Sequence, residues 1–259
     1  MTTQPFYLAT NGEDDVFIAA ARAGLPVMLK GPTGCGKTRF VESMAAKLGR
    51  ELITVACHED LMASDLTGRH LLIGDETVWV DGPLTRAVRT GAICYLDEVV
   101  EARQDTVVVL HSLLDHRREL TLERNDEFLN AADGFQLVVS YNPGYQSVIK
   151  DLKDSTRQRM VAIDMSYPTK EIEGRIIEQE AGVHREVAEC LVRLGTAIRD
   201  SGEQHLREVA STRTLVTAAR LHQAGLHLRG AAIAAIALPL TDDPRLVAGL
   251  TTIVETYVS

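Results

Sequence analysis

The chain has 259 residues, enough for one large domain or two modest ones, and either can bury a sizeable core. Its composition, 45% hydrophobic and 24% charged, is that of a soluble globular protein, and its most apolar stretch, residues 230–240, is too short to span a bilayer. The net charge of −9 argues against a general nucleic-acid binder, which needs a basic face. Four widely spaced cysteines without a CxxC pair, and a first segment without a signal-peptide pattern, predict a cytoplasmic protein.

A short amphipathic helix is predicted at residues 14–23, ahead of an apolar strand pattern at 25–30. A glycine-rich turn then opens onto a helical pattern at 39–48. The turn consists of Gly31, Pro32, Thr33, Gly34, Cys35, Gly36, Lys37 and Thr38. This spacing between a strand and a helix is typical of nucleotide-binding loops, whose glycines and N–H groups cradle the β-phosphate. Lys37 would reach the β/γ oxygens, and the Thr38 hydroxyl would ligate Mg²⁺.

The next helix of the pattern is interrupted by a predicted β-hairpin. Two short alternating runs flank a Gly-Asp turn, and the helix resumes after them. Trp79, the only tryptophan, is either part of the hairpin core or an exposed contact point. The elements are a strand at 51–57, a helix at 59–66, hairpin strands at 69–73 and 77–80, and a helix at 84–89.

An apolar run at 92–96 ends in two acids, Asp97 and Glu98. After a phosphate-binding loop in the same α/β pattern, this arrangement matches the second metal-and-water element of nucleotide hydrolases. Asp97 at the strand end would hold the Mg²⁺ shell, and Glu98 would polarise the attacking water. A helix is predicted next at 105–116, with Val108 among its core contacts.

A second hairpin is predicted at 119–123 and 127–130, followed by a buried strand at 135–141 that ends at Asn142. The Asn142 amide would face the γ-phosphate from beside the phosphate loop, or it is simply a turn residue before proline.

Arg157 and Arg159 precede a further strand at 161–165. They are either solvated charges or groups that point into the nucleotide of a neighbouring subunit.

The character of the sequence changes near residue 168, where strand patterns stop and amphipathic helices begin. We therefore predict an α/β nucleotide-binding domain at 1–167 and a helical domain at 168–259. Arg213 lies at the start of the third helix and would contact phosphate from the helical domain. The helices are predicted at 169–181, 184–200, 211–228, 230–238 and 244–257.

Together these motifs resemble the AAA+ ATPases over nearly the whole chain. The hairpin inside the second helix, the hairpin before Asn142 and the segment 64–68 resemble the MoxR branch. The segments 97–105 and 140–146 are similar to the CbbQ/NirQ/NorQ group, whereas ordinary MoxR members usually carry Asn-Arg where this chain has Val100-Glu101. The fold implied is a P-loop αβα sandwich with a parallel sheet, a helix-2 insert hairpin and a pre-sensor-1 hairpin, followed by an all-α lid.

The resemblance also implies roles for single residues. Asn142 would be the first sensor and Arg213 the second. Arg159 aligns best with an arginine finger that acts across a subunit boundary, with Arg157 as the fallback. Such a finger implies a homo-oligomer in the form of a hexameric ring. The resemblance further implies ATP and Mg²⁺ as cofactors.

Within the group, the chain is most similar to the Rubisco-activating members. This implies a partner with a von Willebrand A domain of the CbbO type, Rubisco as the client, and release of tightly bound sugar phosphates; carboxysome association stays open. The alternative is a NorQ/NirQ-type activator of nitric oxide reductase. A DNA-acting AAA+ protein fits poorly with the net negative charge of the chain. A small-molecule kinase would need a pocket for the phosphate acceptor and would work without forming a ring.

Overall fold

The computed structural model describes residues 5–142, 152–201 and 209–258. The chain forms two compact units. Among the described residues, the first unit contains Pro5, Gly12–Gly31 and those within Phe40–Asp164, and the second contains Phe6–Asn11, Pro32–Arg39 and those within Met165–Ser259. The phosphate-loop segment therefore belongs to the same unit as the C-terminal helices. The domain boundary at 167/168 stays a prediction.

The described strands fall into one parallel sheet and two hairpins. They are β1 Val27–Lys30, β2 Leu52–Ala56, β3 Gly68–Ile73, β4 Glu76–Asp81, β5 Ile93–Asp97, β6 Glu119–Leu122, β7 Glu127–Asn130, β8 Gln136–Tyr141 and β9 Val161–Asp164. The sheet has the order β2-β5-β8-β1-β9. Parallel strands need crossover connections, and helices on both faces bury them, which explains the continuous apolar runs of β5 and β8. The α/β fold with a parallel sheet is confirmed.

The register of the sheet fixes the edge at which polar residues gather. Lys30 at the end of β1 pairs with Tyr141 of β8 and with Asp164 of β9. Leu96 of β5 pairs with Val139 of β8. Gly31, Asp97 and Asn142 follow strands whose carboxyl ends lie at the same edge of the sheet. Ligands of parallel α/β sheets bind outside this edge.

The helices of the first unit are short apart from the first two. They are α1 Glu13–Ala23, α2 Lys37–Leu48, α3 Ala63–Thr67, α4 Pro83–Thr90, α5 Gln104–Val108 and α6 Asp154–Arg157, of which α2 begins in the loop segment of the second unit. The predicted helix at 105–116 was wrong beyond Val108, which is 53% exposed. Leu110 and Leu113 lie in turns tighter than an α-helix, because their N–H groups donate to carbonyls three residues earlier in the chain. Those turns still bury both leucines.

Both predicted hairpins are confirmed, β3–β4 and β6–β7. Arg89, in the last turn of α4, joins them: its Nε donates to Asp81 over 2.8 Å, and its two Nη atoms donate to Glu127 over 2.8 and 2.5 Å. The bidentate contact holds the pKa of the Glu127 carboxyl below its ordinary value. Trp79 is half-buried, because its ring packs on the core while its indole N–H donates to Asp81 over 2.6 Å.

The second unit is helical after residue 169, as predicted. Its helices are α7 Lys170–Ala181, α8 Arg185–Asp200, α9 Thr212–Gln223, α10 Leu228–Ala232, α11 Leu238–Leu240 and α12 Pro244–Tyr257. The predicted helix 211–228 ends five residues early, at Gln223, before Gly225 at φ 104°. A π-helical stretch, Ile233–Ala237, joins α10 to α11. No helix in the described ranges is long and apolar enough to cross a membrane.

Candidate nucleotide-hydrolysis site

The phosphate loop lies in the second unit except for its first residue, Gly31. Gly34 and Gly36 adopt positive φ angles of 72° and 102°, a region that L side chains rarely occupy. Lys37 begins α2 and is buried, and its Nζ donates to the Pro32 carbonyl over 3.0 Å. The loop therefore has the strand–turn–helix form that the sequence predicted, with the lysine held inside the turn. Thr38 follows in the first turn of the helix.

Gly34 lies against the start of α9. A Cβ atom on Gly34 would come within 2.6 Å of both Cβ and Oγ of Ser211, and within 3.5 Å of the Arg213 Cβ. Ser211 is the N-cap of α9, since its side chain accepts the Thr214 N–H. The predicted second sensor, Arg213, is exposed in the first turn of that helix and adjoins the loop.

Cys35 takes a variable position of the loop. It is buried, and burial raises the pKa of its thiol, with Lys37 and Arg213 opposing that rise by their positive charges. Because the raised pKa favours the protonated form, Cys35 is a small packing residue in this loop.

The two acids follow β5 in the first unit, and a serine of the neighbouring strand holds them. The Ser140 hydroxyl donates to Oδ1 of Asp97 over 2.5 Å and accepts the Glu98 N–H over 3.0 Å. The Tyr95 hydroxyl donates to the same Asp97 oxygen over 2.6 Å. Two hydroxyls on one carboxylate oxygen fix the orientation of the Asp97 side chain.

Glu98 has a left-handed backbone, with φ 55° and ψ 46°. Non-glycine residues adopt this region at a cost and mostly where the surroundings enforce it, often at functional sites. Here the turn leads from β5 into a 3₁₀ turn at Val99–Glu101, and the Ser140 bond to the Glu98 amide holds it. Burial raises the pKa of the Cys57 thiol to about 12, and the negative charges of Asp97 and Glu98 contribute to the rise.

Asn142 directly follows β8, two residues after Ser140. Asn142 is half-buried at the carboxyl end of this strand. Residues 143–146, which contribute to the family resemblance, lie outside the described residues.

The two candidate finger residues differ in their surroundings. Arg157, at the end of α6, forms an ion pair with Asp154. Arg159 is exposed, and its guanidinium makes no ion pair or hydrogen bond with the residues that the structure describes. Burial lowers the pKa of His111, and the positive charges of Arg159 and Lys153 lower it further.

Sequence reasoning missed the residues that hold the predicted ones in place. Ser140 and Tyr95 support the acids, and Tyr167 donates to the Thr33 carbonyl of the phosphate loop over 2.9 Å. The signal for Ser140 was a hydroxyl in a fully buried strand, because such a hydroxyl needs a partner; the sequence does not say which residue that partner is.

The fold and the phosphate loop define the chain as an AAA+ ATPase, an enzyme that hydrolyses ATP. Comparisons with known proteins agree with this class. Residues 26–160 match the AAA domain of the dynein-related subfamily. A solved structure of an ATPase candidate from Cytophaga hutchinsonii has a similar fold, with a TM-score of 0.54 over 94% of this chain and 81% of that chain at 16% identity.

The chain belongs to the CbbQ/NirQ/NorQ family, whose C-terminal family matches residues 173–257. It is 58% identical to the denitrification regulatory protein NirQ of Pseudomonas aeruginosa over 98% of both chains. It is 58% identical to NorQ of Paracoccus denitrificans over 95% of this chain and 91% of that protein. CbbQ of Hydrogenophilus thermoluteolus is 53% identical over 94% of this chain and 91% of that protein.

Proposed function

We propose that the chain is the motor subunit of a ring that uses ATP hydrolysis to remodel a client enzyme through a partner with a von Willebrand A domain. In this proposal Gly31 to Lys37 bind the phosphates. Glu98 activates the attacking water, and Asn142 and Arg213 sense the γ-phosphate. Most of the assigned groups transfer no proton; they orient the phosphates and stabilise charge, which is the main requirement of phosphoryl transfer.

Mg²⁺ fits the donor groups assigned to it, the Thr38 hydroxyl and Asp97. No cluster of three or more His, Cys, Asp or Glu residues suited to a metal occurs in the described ranges. Mg²⁺ in nucleotide enzymes needs no such cluster, because phosphates and waters supply most of its ligands. When bound, the ion would neutralise charge on the phosphate oxygens. The role of this chain is to hold the Asp97 carboxylate in place through Tyr95 and Ser140.

The observation that carries the ring assembly is the exposed guanidinium of Arg159. Arg157 is engaged by Asp154 on its own helix, whereas Arg159 has no such partner among the described residues. A charge placed in this way is available to a nucleotide on a neighbouring subunit. This supports Arg159 as the finger and a hexameric ring as the active form.

Two clients are compatible with the family. The sequence resemblance suggests Rubisco with a CbbO-type partner. The relatives named NirQ and NorQ that are compared above are each 58% identical to this chain, and CbbQ is 53% identical over a similar share of it. This difference in identity favours nitric oxide reductase as the client. We take nitric oxide reductase as the first candidate and Rubisco as the second.

The proposal is tested by giving the purified chain, ATP and a von Willebrand A partner either inactive nitric oxide reductase or sugar-phosphate-inhibited Rubisco. We expect an ATP-dependent rise in the activity of one client, which is absent with the matched Glu98→Gln variant. A rise with Rubisco alone would reverse our order of clients. No rise with either client, under conditions in which the chain hydrolyses ATP, would contradict the remodelling function.

A further inference from the structure

Three side chains outside the assigned catalytic set connect the phosphate loop to the first turn of α9 inside the second unit. They are Tyr167, Arg199 and Glu173. We infer that they are positioning residues, which make the placement of Arg213 depend on the conformation of the phosphate loop. The inference rests on the proposed role of Arg213 as the second sensor.

The connection begins at the loop. The Tyr167 hydroxyl donates to the Thr33 carbonyl over 2.9 Å. A displacement of Thr33 therefore shifts or breaks this hydrogen bond and changes the position of the tyrosine ring. The Arg199 guanidinium lies over that ring, 4.4 Å from its centroid. A guanidinium on an aromatic face is attracted by the ring electrons and stacks in a defined plane.

Arg199 passes the connection to a buried carboxylate. Its Nη1 and Nη2 donate to the two oxygens of Glu173 over 2.9 and 2.6 Å. Its Nε donates to the Ala210 carbonyl over 2.7 Å, just before α9. The Glu173 carboxylate is 0% exposed, so this is a bidentate ion pair away from water.

Glu173 then holds the start of α9. Its Oε1 also accepts the Thr212 hydroxyl over 2.6 Å. Thr212 is the first residue of α9, between the N-cap Ser211 and Arg213. The close approach of Gly34 to Ser211 provides a second contact between the same two segments. Arg213 is therefore fixed by a helix start that is bound to the loop at two points.

A buried ion pair contributes little net stability compared with apolar residues of the same volume, because desolvation offsets the attraction. Its directional hydrogen bonds do define a geometry, and here they define where α9 begins. This argues for a positioning role beyond simple packing.

The test is a double-mutant cycle between Tyr167→Phe and Arg213→Ala, with steady-state ATP hydrolysis as the readout. Tyr167→Phe keeps the ring under Arg199 and removes the hydroxyl that donates to Thr33. Loss of one neutral hydrogen bond should raise KM for ATP about twofold to tenfold, with kcat changed less than about twofold. In the Arg213→Ala background the same change should alter KM less than about twofold. Tyr257→Phe, on α12, is the matched control and should leave KM unchanged.

A second pair of variants covers the case in which Tyr167→Phe folds poorly. Thr212→Val keeps the shape of the side chain and loses the hydroxyl that Glu173 accepts, so it should raise KM in the same way. Thr212→Ser keeps the hydroxyl and should restore a KM near the wild-type value.

Two results would overturn the inference, and they are distinguishable. If Arg213→Ala impairs hydrolysis but Tyr167→Phe raises KM by the same factor in both backgrounds, the positioning role fails and the sensor role of Arg213 stands. If Arg213→Ala hydrolyses ATP like the wild type, the sensor role fails, and the inference fails with it.

Discussion

The Ser140 hydroxyl donates to Asp97 over 2.5 Å and so ties β8 to the acidic end of β5. The same oxygen accepts the Glu98 amide, so one side chain sets the positions of both acids. Asp97 and Glu98 are assigned different tasks, metal binding and water activation, and both depend on this buried contact.

Replacing Ser140 with alanine should lower kcat by roughly tenfold or more, because hydrogen bonds to charged groups are worth about 1.5–3 kcal/mol. Binding of a fluorescent ATP analogue should change less than about twofold, since the phosphate loop is untouched. Ser201→Ala, which removes a hydroxyl at the end of α8, is the control. An unchanged kcat in Ser140→Ala would contradict the role given to Ser140.

Glu98→Gln should retain ATP binding and lose turnover. The amide keeps the shape of the side chain but cannot accept the proton of water, and general-base catalysis contributes about 10²–10⁴-fold. Binding is measured by equilibrium titration and turnover by phosphate release. Steady-state hydrolysis near the wild-type rate would rule out Glu98 as the base.

Arg159→Ala should reduce kcat by roughly 10³–10⁵-fold, the range for an arginine finger. Arg157→Ala should have a much smaller effect, because Arg157 is paired with Asp154. The measurement is phosphate release at protein concentrations above the concentration at which the ring assembles.

Mixing two inactive variants tests whether the finger acts between subunits. Arg159→Ala keeps an intact phosphate loop, and Lys37→Ala keeps an intact finger. If the finger acts across the boundary, mixed rings contain some complete sites, and activity should return on mixing. No recovery, with mixed rings demonstrated by native mass spectrometry, would place Arg159 in its own subunit's site.

Gly34→Ala should raise KM for ATP more than about tenfold. The new Cβ would lie 2.6 Å from Ser211, and the φ of 72° disfavours any side chain. Gly182→Ala is the matched control: Gly182 has φ 66°, and nothing lies within 4 Å of its Cβ position. A normal KM for Gly34→Ala would show that the loop and the start of α9 tolerate separation.

Glu173→Ala should lower the melting temperature by roughly 6–20 °C. Removing one partner of a buried ion pair costs about 3–5 kcal/mol, and each kcal/mol shifts a chain of this size by about 2–4 °C. Glu189→Ala, which breaks the exposed pair with Arg185, should change it little. The double variant Glu173→Leu with Arg199→Met should regain most of the lost stability. Calorimetry checks all three, and no loss in Glu173→Ala would contradict the burial of this charge.

The sequence predicted the elements whose signals are local. The glycine-rich turn that contains Gly34, the apolar run of β5 and the Gly-Asp turn of the first hairpin each depend on nearby residues, and each was found. The helix at 105–116 was wrong because leucines at helical spacing are also buried by the tighter turns that Leu110 and Leu113 adopt. Periodicity alone does not distinguish the two.

The supporting residues could not be predicted because their partners are distant in the chain. Ser140 and Asp97 are separated by 43 positions, and Tyr167 and Thr33 by 134. No local pattern marks such a pair, since each becomes adjacent only through strand order or helix packing. The residues predicted from motifs, among them Lys37 and Glu98, are those proposed to act on ligand and water. The residues found only in the structure are their supporting partners.

Trp79 gives the first hairpin an intrinsic optical label. It is the only tryptophan of the chain, and its indole lies against His70 at 5.2 Å and donates to Asp81. Asp81 is also bound by Arg89, which holds the second hairpin through Glu127. Emission excited at the red edge of tryptophan absorption should therefore report on this junction alone, so a stopped-flow trace after nucleotide addition could time hairpin movement without any attached dye.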